Sequence, residues 1–310
     1  MVASCPRAIA LDIGTAFTKY RLRGRRSTNI PKTNKQYAFH EAPFCFWHFK
    51  IIYIVLIGTR AQVINAGTNL KPEGKDTEMK KIVILTGAGI SAESGLGTFR
   101  DKGGLWSQHR IEDVATPEGF ARDPELVHRF YSARRQHAAE ALPNAAHDAL
   151  ARLEERWTGD VIIITQNVDG LHEKAGSRGV LHMHGALSGA LCAACAHRWP
   201  APLQMTPETR CPACDANTAR PDVVWFGEVP YHMEQIASHL AEADLFVAIG
   251  TSGQVYPAAA FVQEAATYGA QTLELNLEPS EVSADFAQHR FGKASDVVPI
   301  WVEDLLRDAA

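Results

Sequence analysis

This chain of 310 residues has no apolar run long enough to cross a bilayer. Its longest candidate, Phe44 to Ile57, is about 14 residues and contains His48 and Lys50, whereas a span needs roughly 20 uninterrupted apolar residues. No charged start followed by an apolar stretch marks a secretory signal. Surplus positive charge is also missing. The formal net charge of -4 divides into +7 for residues 1–78 and -11 for the remaining 232. A main body this acidic is poorly suited to displacing counterions from phosphates, which argues against DNA or RNA as principal ligand. Cysteine is scarce, with six in all, and four of these fall within 23 positions as two pairs. That clustering fits metal ligation in a reducing, cytoplasmic setting better than a disulfide framework. What is plentiful is apolar character: 46% of residues, enough for a sizeable core in one large domain or a domain with an inserted module.

The chain changes character at Met79. Residues 21–35 (RLRGRRSTNIPKTNK) are basic and turn-rich, without sustained amphipathic periodicity. Leu11 to Lys19 faintly resembles the first phosphate loop of actin-like ATPases, but no two-lobed domain follows it. The basic run also has the look of a transit peptide that starts late. The simplest expectation is an extension over residues 1–78 that takes no part in the main fold, with translation beginning at Met79. From Lys80 onward, strand and helix patterns alternate. Lys81 to Leu85, Asp160 to Thr165, Asp244 to Ile249 and Thr272 to Asn276 are short β-branched runs of the kind buried in a parallel sheet. Helical patterns cover Pro124 to Leu142, Asn144 to Glu155, Tyr256 to Tyr268 and Val302 to Arg307. The expected fold is α/β, a doubly wound parallel (Rossmann-like) sheet with a smaller inserted helical and zinc-ribbon domain. The sheet parts are expected at about 79–106, 158–185 and 221–310, and the small domain at about 107–157 and 186–220.

Gly87-Ala88-Gly89-Ile90-Ser91-Ala92 follows the first strand as a Gly-x-Gly-x-x-Ala turn. Gly87 permits a tight turn, Gly89 lets backbone approach a pyrophosphate, and a helix N-terminus beyond it would offer free N–H groups. The motif continues as a polar, glycine-rich loop through Thr98-Phe99-Arg100-Asp101 to Trp106. A dehydrogenase would place an acidic residue after its second strand. Glu112 and Asp113 have about that spacing but follow no strand, so hydride transfer is disfavoured. Cys192-x2-Cys195 and Cys211-x2-Cys214, separated by 15 residues, have the spacing of a four-thiolate zinc ribbon. Four thiolates leave no open coordination position, so this Zn2+ is expected to be structural.

The stretch GAGISAESGLGTFRD resembles the NAD loop of sirtuins. Three further blocks match in order: Gln166-Asn167-Val168-Asp169, His182-Met183-His184-Gly185 and Gly250-Thr251-Ser252. The likeness runs from Met79 to the C-terminus. It implies NAD-dependent removal of acyl groups from protein lysines, giving nicotinamide, O-acyl-ADP-ribose and free lysine. It also implies that His184, with Asn167 and Asp169, forms the catalytic group, His184 taking a proton from a ribose hydroxyl. His182 is the local competitor. NAD contacts implied by the same likeness are Gly87, Ala88, Gly89, Ser91, Glu93, Thr98, Phe99, Arg100, Trp106, Gln166, Asn167 and Asp169. Gly250, Thr251, Ser252, Asn276, Leu277, Glu278 and Ala294 belong to the same set, toward the adenosine half. Tyr131 and Arg134, three apart in a helical pattern, resemble the pair that holds acidic acyl groups in the succinyl- and malonyl-accepting sirtuins. Arg135 is its decoy. Val224, Trp225, Phe226 and Gly227 resemble the strand that pairs with the acyl-lysine peptide, and Val224, Phe226 and Gly227 are taken as substrate contacts. Protein ADP-ribosyl transfer and a non-catalytic NAD- or acyl-lysine-binding module remain as alternatives, with a dehydrogenase third.

Overall fold

The computed structural model describes residues 79–97 and 109–309. The expectations placed on residues 1–78 lie outside them. So do Thr98, Phe99, Arg100 and Trp106.

The buried β-branched runs form a six-stranded parallel sheet. Strands β1 (Lys81–Thr86), β2 (Asp160–Thr165) and β3 (Val180–His182) build one half; β7 (Leu245–Ile249), β8 (Gln271–Asn276) and β9 (Gln288–Phe291) build the other. The order is β3-β2-β1-β7-β8-β9, so the winding reverses between β1 and β7. Each of the central strands has apolar side chains on both faces, and each face has its own cover. Ile82, Ile84, Ile163, Val247 and Ile249 pack against Leu150, Leu153, Val298 and Trp301. Val83, Leu85, Ile164 and Phe246 pack against Ile236, Leu240, Phe261 and Val262. Burying one such side chain contributes about 1.5–3 kcal/mol, which is why the two-sided runs settle at the centre.

The covering helices differ in part from the sequence expectation. Helices α1 (Ile111–Val114) and α2 (Pro117–Arg122) are short and lead into α3 (Pro124–Glu140). The next, α4 (Ala145–Arg156), is capped by Asn144, whose side chain accepts from Ala146 N–H. Helices α5 (Leu171–Ala175) and α6 (Met233–Glu242) have no counterpart in the expected set, and neither do β3 and β9. Helix α7 (Phe261–Thr267) is preceded by a single 3-10 turn, Ala258–Ala260. The last helix, α8 (Ala294–Asp308), starts well before Val302 and contains Pro299. Its buried Val298, Trp301 and Val302 outweigh the one main-chain hydrogen bond that the proline removes. Among the described residues no helix is long and apolar enough to cross a membrane.

A second sheet, β5-β4-β6, is antiparallel and built from β4 (Gly185–Cys192), β5 (Arg198–Pro200) and β6 (Ala219–Val223). It meets the helical insertion through a separate core of Val114, Val127, Phe130, Tyr131, Leu187 and Trp225. Arg135, only 5% exposed, fastens this contact. Its Nε donates to Leu187 O at 2.6 Å and Nη1 to Leu203 O at 3.2 Å. It is therefore a structural tie between α3 and the small sheet.

Candidate active site and metal centre

Ligands of open α/β sheets sit where strand order reverses, beyond the carboxyl ends of the strands. Here that point lies between the loops that follow β1 and β7. Gly87 N–H donates to Ile249 O (3.0 Å) and Gly89 N–H to Gly250 O (2.8 Å). A Cβ on Gly87 would stand 2.8 Å from Gly250 O, and one on Gly89 2.7 Å from Gly250 Cα. The two glycines are thus demanded by the interlocking of two loops, a reason the sequence did not reveal. The chain then makes two 3-10 turns, Ala88–Ile90 and Ala92–Ser94. The helix N-terminus expected here is not formed, since Gly95 takes a left-handed conformation and ends the second turn.

The loop after β2 folds against these turns through polar side chains. Asn167 Nδ2 donates to Gly87 O and to Ser91 Oγ, both at 3.1 Å, and Ser91 Oγ donates to Asp169 Oδ2 at 3.1 Å. Asn167 Oδ1 is left unengaged among the described residues. Asp169 Oδ1 accepts from Leu171 N–H at 3.1 Å. Gln166 Nε2 reaches Thr251 Oγ1 at 3.2 Å, joining this loop to the one after β7. Below them Thr86 and Thr165 end paired strands in register, their hydroxyls 2.9 Å apart, and His172 Nε2 meets Thr86 Oγ1 at 3.0 Å. Thr165 was legible as a strand end, whereas Thr86 was expected just beyond the first strand, which runs one residue further. His172 carried no signal.

The two candidate histidines part company in their partners. His184 Nδ1 lies 3.0 Å from Gln166 O, and because a carbonyl only accepts, Nδ1 carries the proton. Its Nε2 has no partner among the described residues. Burial holds its pKa below the usual 6.5, the Gln166 bond offsetting this only in part, so the ring is neutral near pH 7 with a free lone pair at Nε2. His182 has Asn167 O at Nδ1 (3.1 Å) and Glu173 Oε1 at Nε2 (2.7 Å). Burial would lower its pKa, but the Glu173 carboxylate outweighs burial and raises it. With an acceptor on each nitrogen, both partners of His182 favour its protonated form.

Tyr131 and Arg134 do lie together on α3. Tyr131 is buried, and the Arg134 guanidinium carbon stands 5.6 Å from its ring centroid. Val168, in the loop after β2, packs against the same apolar cluster as Tyr131. Of the four residues resembling a peptide-pairing strand, none is in a strand: β6 ends at Val223 and a turn follows. Val224 N–H donates to His184 O at 2.9 Å and Phe226 N–H to Ala115 O at 3.0 Å, which bends the segment across the two parts. Phe226 and Gly227 are exposed.

The remaining predicted contacts are spread around the crevice. Ser252 follows Thr251 and accepts from Gln254 N–H at 3.3 Å. Asn276 ends β8 and donates to Thr251 O at 2.8 Å; Leu277 and Glu278 follow it, exposed. Ala294 is the first residue of α8. Glu93 accepts from Ser295 N–H at 2.9 Å, capping that helix.

Cys192, Cys195, Cys211 and Cys214 converge, with all four sulfurs within 4.8 Å of one another and no disulfide among them. Cys192 and Cys214 sulfurs are 3.6 Å apart, Cys195 and Cys211 3.7 Å. A tetrahedral zinc with bonds of about 2.3 Å requires sulfurs about 3.8 Å apart, so the donor set fits.

The fold and the site define an open α/β protein of the nucleotide-binding type, its crevice at the topological switch point beside a cysteine-knuckled module. The description "Sir2 family" belongs to the family model that matches residues 87–257. An NAD-dependent protein deacylase of Caulobacter vibrioides is 56% identical over 230 residues, 73% of this chain and 97% of that protein. One from Escherichia coli K12 is 53% identical over 233 residues, 74% of this chain and 84% of its own. A solved complex of a Sir2 homologue with NAD aligns at a TM-score of 0.70 and 38% identity, covering 75% and 92% of the two chains. The chain belongs to the Sir2 family, the sirtuins.

Proposed function

We propose that the protein is an NAD-dependent protein-lysine deacylase that accepts acetyl, succinyl and malonyl groups. The observation that carries this reading is His184: neutral, held at Nδ1 and open at Nε2. Bound NAD would supply a nicotinamide–ribose bond whose cleavage lets the ribose accept the acyl oxygen. Against it, His184 Nε2 takes a proton from a ribose hydroxyl, work suited to an imidazole with a pKa near or below neutrality. Asn167 Oδ1 and the Asp169 carboxylate accept hydrogen bonds from ribose or the nicotinamide amide. Ser91 holds both side chains in place from the turns after β1. Gly87, Ala88 and Gly89 present backbone to the phosphates, and Thr98, Phe99, Arg100 and Trp106 are further NAD contacts. Gly250, Thr251, Ser252, Asn276, Leu277, Glu278 and Ala294 line the adenosine half, and Gln166 is a further NAD contact beside Asn167. Glu93 serves this site through its cap on α8.

Tyr131 and Arg134 form the acyl pocket, a phenol and a guanidinium for a terminal carboxylate. Val224, Phe226 and Gly227 receive the acyl-lysine peptide. The four cysteines hold Zn2+ in a closed tetrahedron that braces the small domain and does no chemistry. Residues 79–310 make up the catalytic domain. Incubating the protein with NAD and separate acetyl- and succinyl-lysine peptides, then weighing the products, tests the whole reading. Free lysine with acylated ADP-ribose is expected. ADP-ribose attached to protein, with the acyl group still on lysine, would overturn it in favour of transfer.

A further inference from the structure

Three side chains around Tyr131 have no role in the chemistry above. Trp225 is 3% exposed, and its indole N–H donates to Tyr131 Oη over 3.0 Å. An indole N–H is a donor only, so the phenol oxygen must accept there. Arg134, also a donor only, stands with its guanidinium carbon 5.6 Å from the centroid of the same ring. With the indole N–H as donor on that side, the phenol proton has to point elsewhere, which leaves Tyr131 to give it.

Trp225 is itself clamped. The guanidinium carbon of Arg220 lies 3.5 Å from its ring centroid. Glu228 holds that guanidinium flat by accepting from Nη1 at 2.6 Å and from Nη2 at 2.9 Å. The same carboxylate accepts the Trp225 main-chain N–H at 2.8 Å. Glu228 N–H returns to Trp225 O at 3.0 Å, closing a turn that passes through Gly227 at φ +92°. A side chain would be strained at that angle. Ring, cation and carboxylate thus form one rigid unit that aims the indole N–H at Tyr131.

We propose that Trp225, clamped by Arg220 and Glu228, is the positioning residue that commits the Tyr131 hydroxyl to donating, and thereby favours acyl chains that end in a carboxylate. An ionised carboxylate accepts and never donates, so it needs a hydroxyl set this way. An acetyl group has no such oxygen and gains nothing from the arrangement. The inference rests on the acyl-pocket assignment made above.

A double-mutant cycle tests it: wild type, Tyr131→Phe, Trp225→Phe and the double variant, each measured for kcat and KM on succinyl- and acetyl-lysine peptides. Trp225→Phe keeps the ring and removes the donor. It is expected to raise the succinyl KM about fivefold more than the acetyl KM, the worth of one hydrogen bond. In the Tyr131→Phe background the same change should leave the succinyl-to-acetyl ratio within about twofold, because the hydroxyl it orients is gone. Equal losses on both peptides, or effects that multiply in the double variant, would overturn the proposal in favour of plain packing. Arg220→Lys, which keeps charge but loses the two-pronged clamp, should shift the ratio in the same direction by less. Should Trp225→Phe fail to fold, an unshifted ratio in Arg220→Lys refutes the idea by itself. A wild type that ignores succinyl peptide, or a Tyr131→Phe variant with an unchanged ratio, defeats the pocket assignment and this inference with it. A Tyr131-dependent ratio that Trp225 does not affect defeats this inference alone.

Discussion

His147 and His172 lie beneath the crevice with ring centroids 5.1 Å apart, both essentially without solvent contact. His147 Nδ1 accepts from Asn144 N–H, and His172 Nε2 is engaged with Thr86, while His147 Nε2 and His172 Nδ1 have no partner among the described residues. Burial lowers the pKa of His147 to about 4, and burial together with the cost of placing a second positive charge beside His147 lowers that of His172 to about 3. The native state therefore keeps both rings neutral where the unfolded chain, with pKa about 6.5, takes up protons. The sign follows: stability is complete above about pH 6.5 and falls as pH drops toward the folded values. At about pH 5 the penalty is about 2 kcal/mol for each ring and about 4 kcal/mol for the pair. Urea unfolding of wild type and His172→Gln, each at about pH 7 and about pH 5 with matched zinc, isolates the effect. Contributions from His182, the carboxylates and the thiolates are common to both proteins and cancel in the difference. The wild type should lose about 2 kcal/mol more than the variant between the two pH values. Equal losses would show that His172 is protonated in the fold and that the account of this buried pair is wrong.

Replacing His184 with Ala should cut turnover about a hundred- to ten-thousandfold, the range for a lost general base, while NAD still binds by calorimetry. The acid limb of the wild-type kcat/KM profile should fall below pH 6.5, since burial lowers the His184 pKa; a limb above that value would contradict the assignment. Arg134→Met should reduce succinyl turnover about ten- to a hundredfold more than acetyl turnover, as expected for one charged hydrogen bond. Chelation of the metal should unfold the cysteine module and abolish activity, whereas full activity of metal-free protein would show that the thiolates have no structural role.

The sheet was legible wherever strands are buried on both faces, because unbroken runs such as KIVIL and DVIIIT have few other places to go. β9 was not, since Gln288–Phe291 is an edge strand with all four residues exposed and no apolar pattern. Helix α8 was shortened in the sequence by Pro299, a breaker that packing overrode. The cysteine quartet declared itself through spacing alone. His184 was singled out over His182 by the glycine that follows it and by resemblance, because the physical distinction is made by Glu173 and two main-chain carbonyls that the sequence does not bring near. Arg135 looked like the decoy of Arg134, and its tie to Leu187 and Leu203 needed the fold to be seen. Gly87 was read as permitting a tight turn and Gly89 as letting backbone approach a ligand, whereas the contact that forbids a side chain at either is Gly250.

The most direct measurement is the stoichiometry of a single turnover, comparing wild type with His184→Ala on NAD and an acylated peptide. Wild type should release nicotinamide, acylated ADP-ribose and free lysine in equal amounts, and the variant should form neither of the last two. Lysine freed without consumption of NAD, or at an undiminished rate in the variant, would contradict the account.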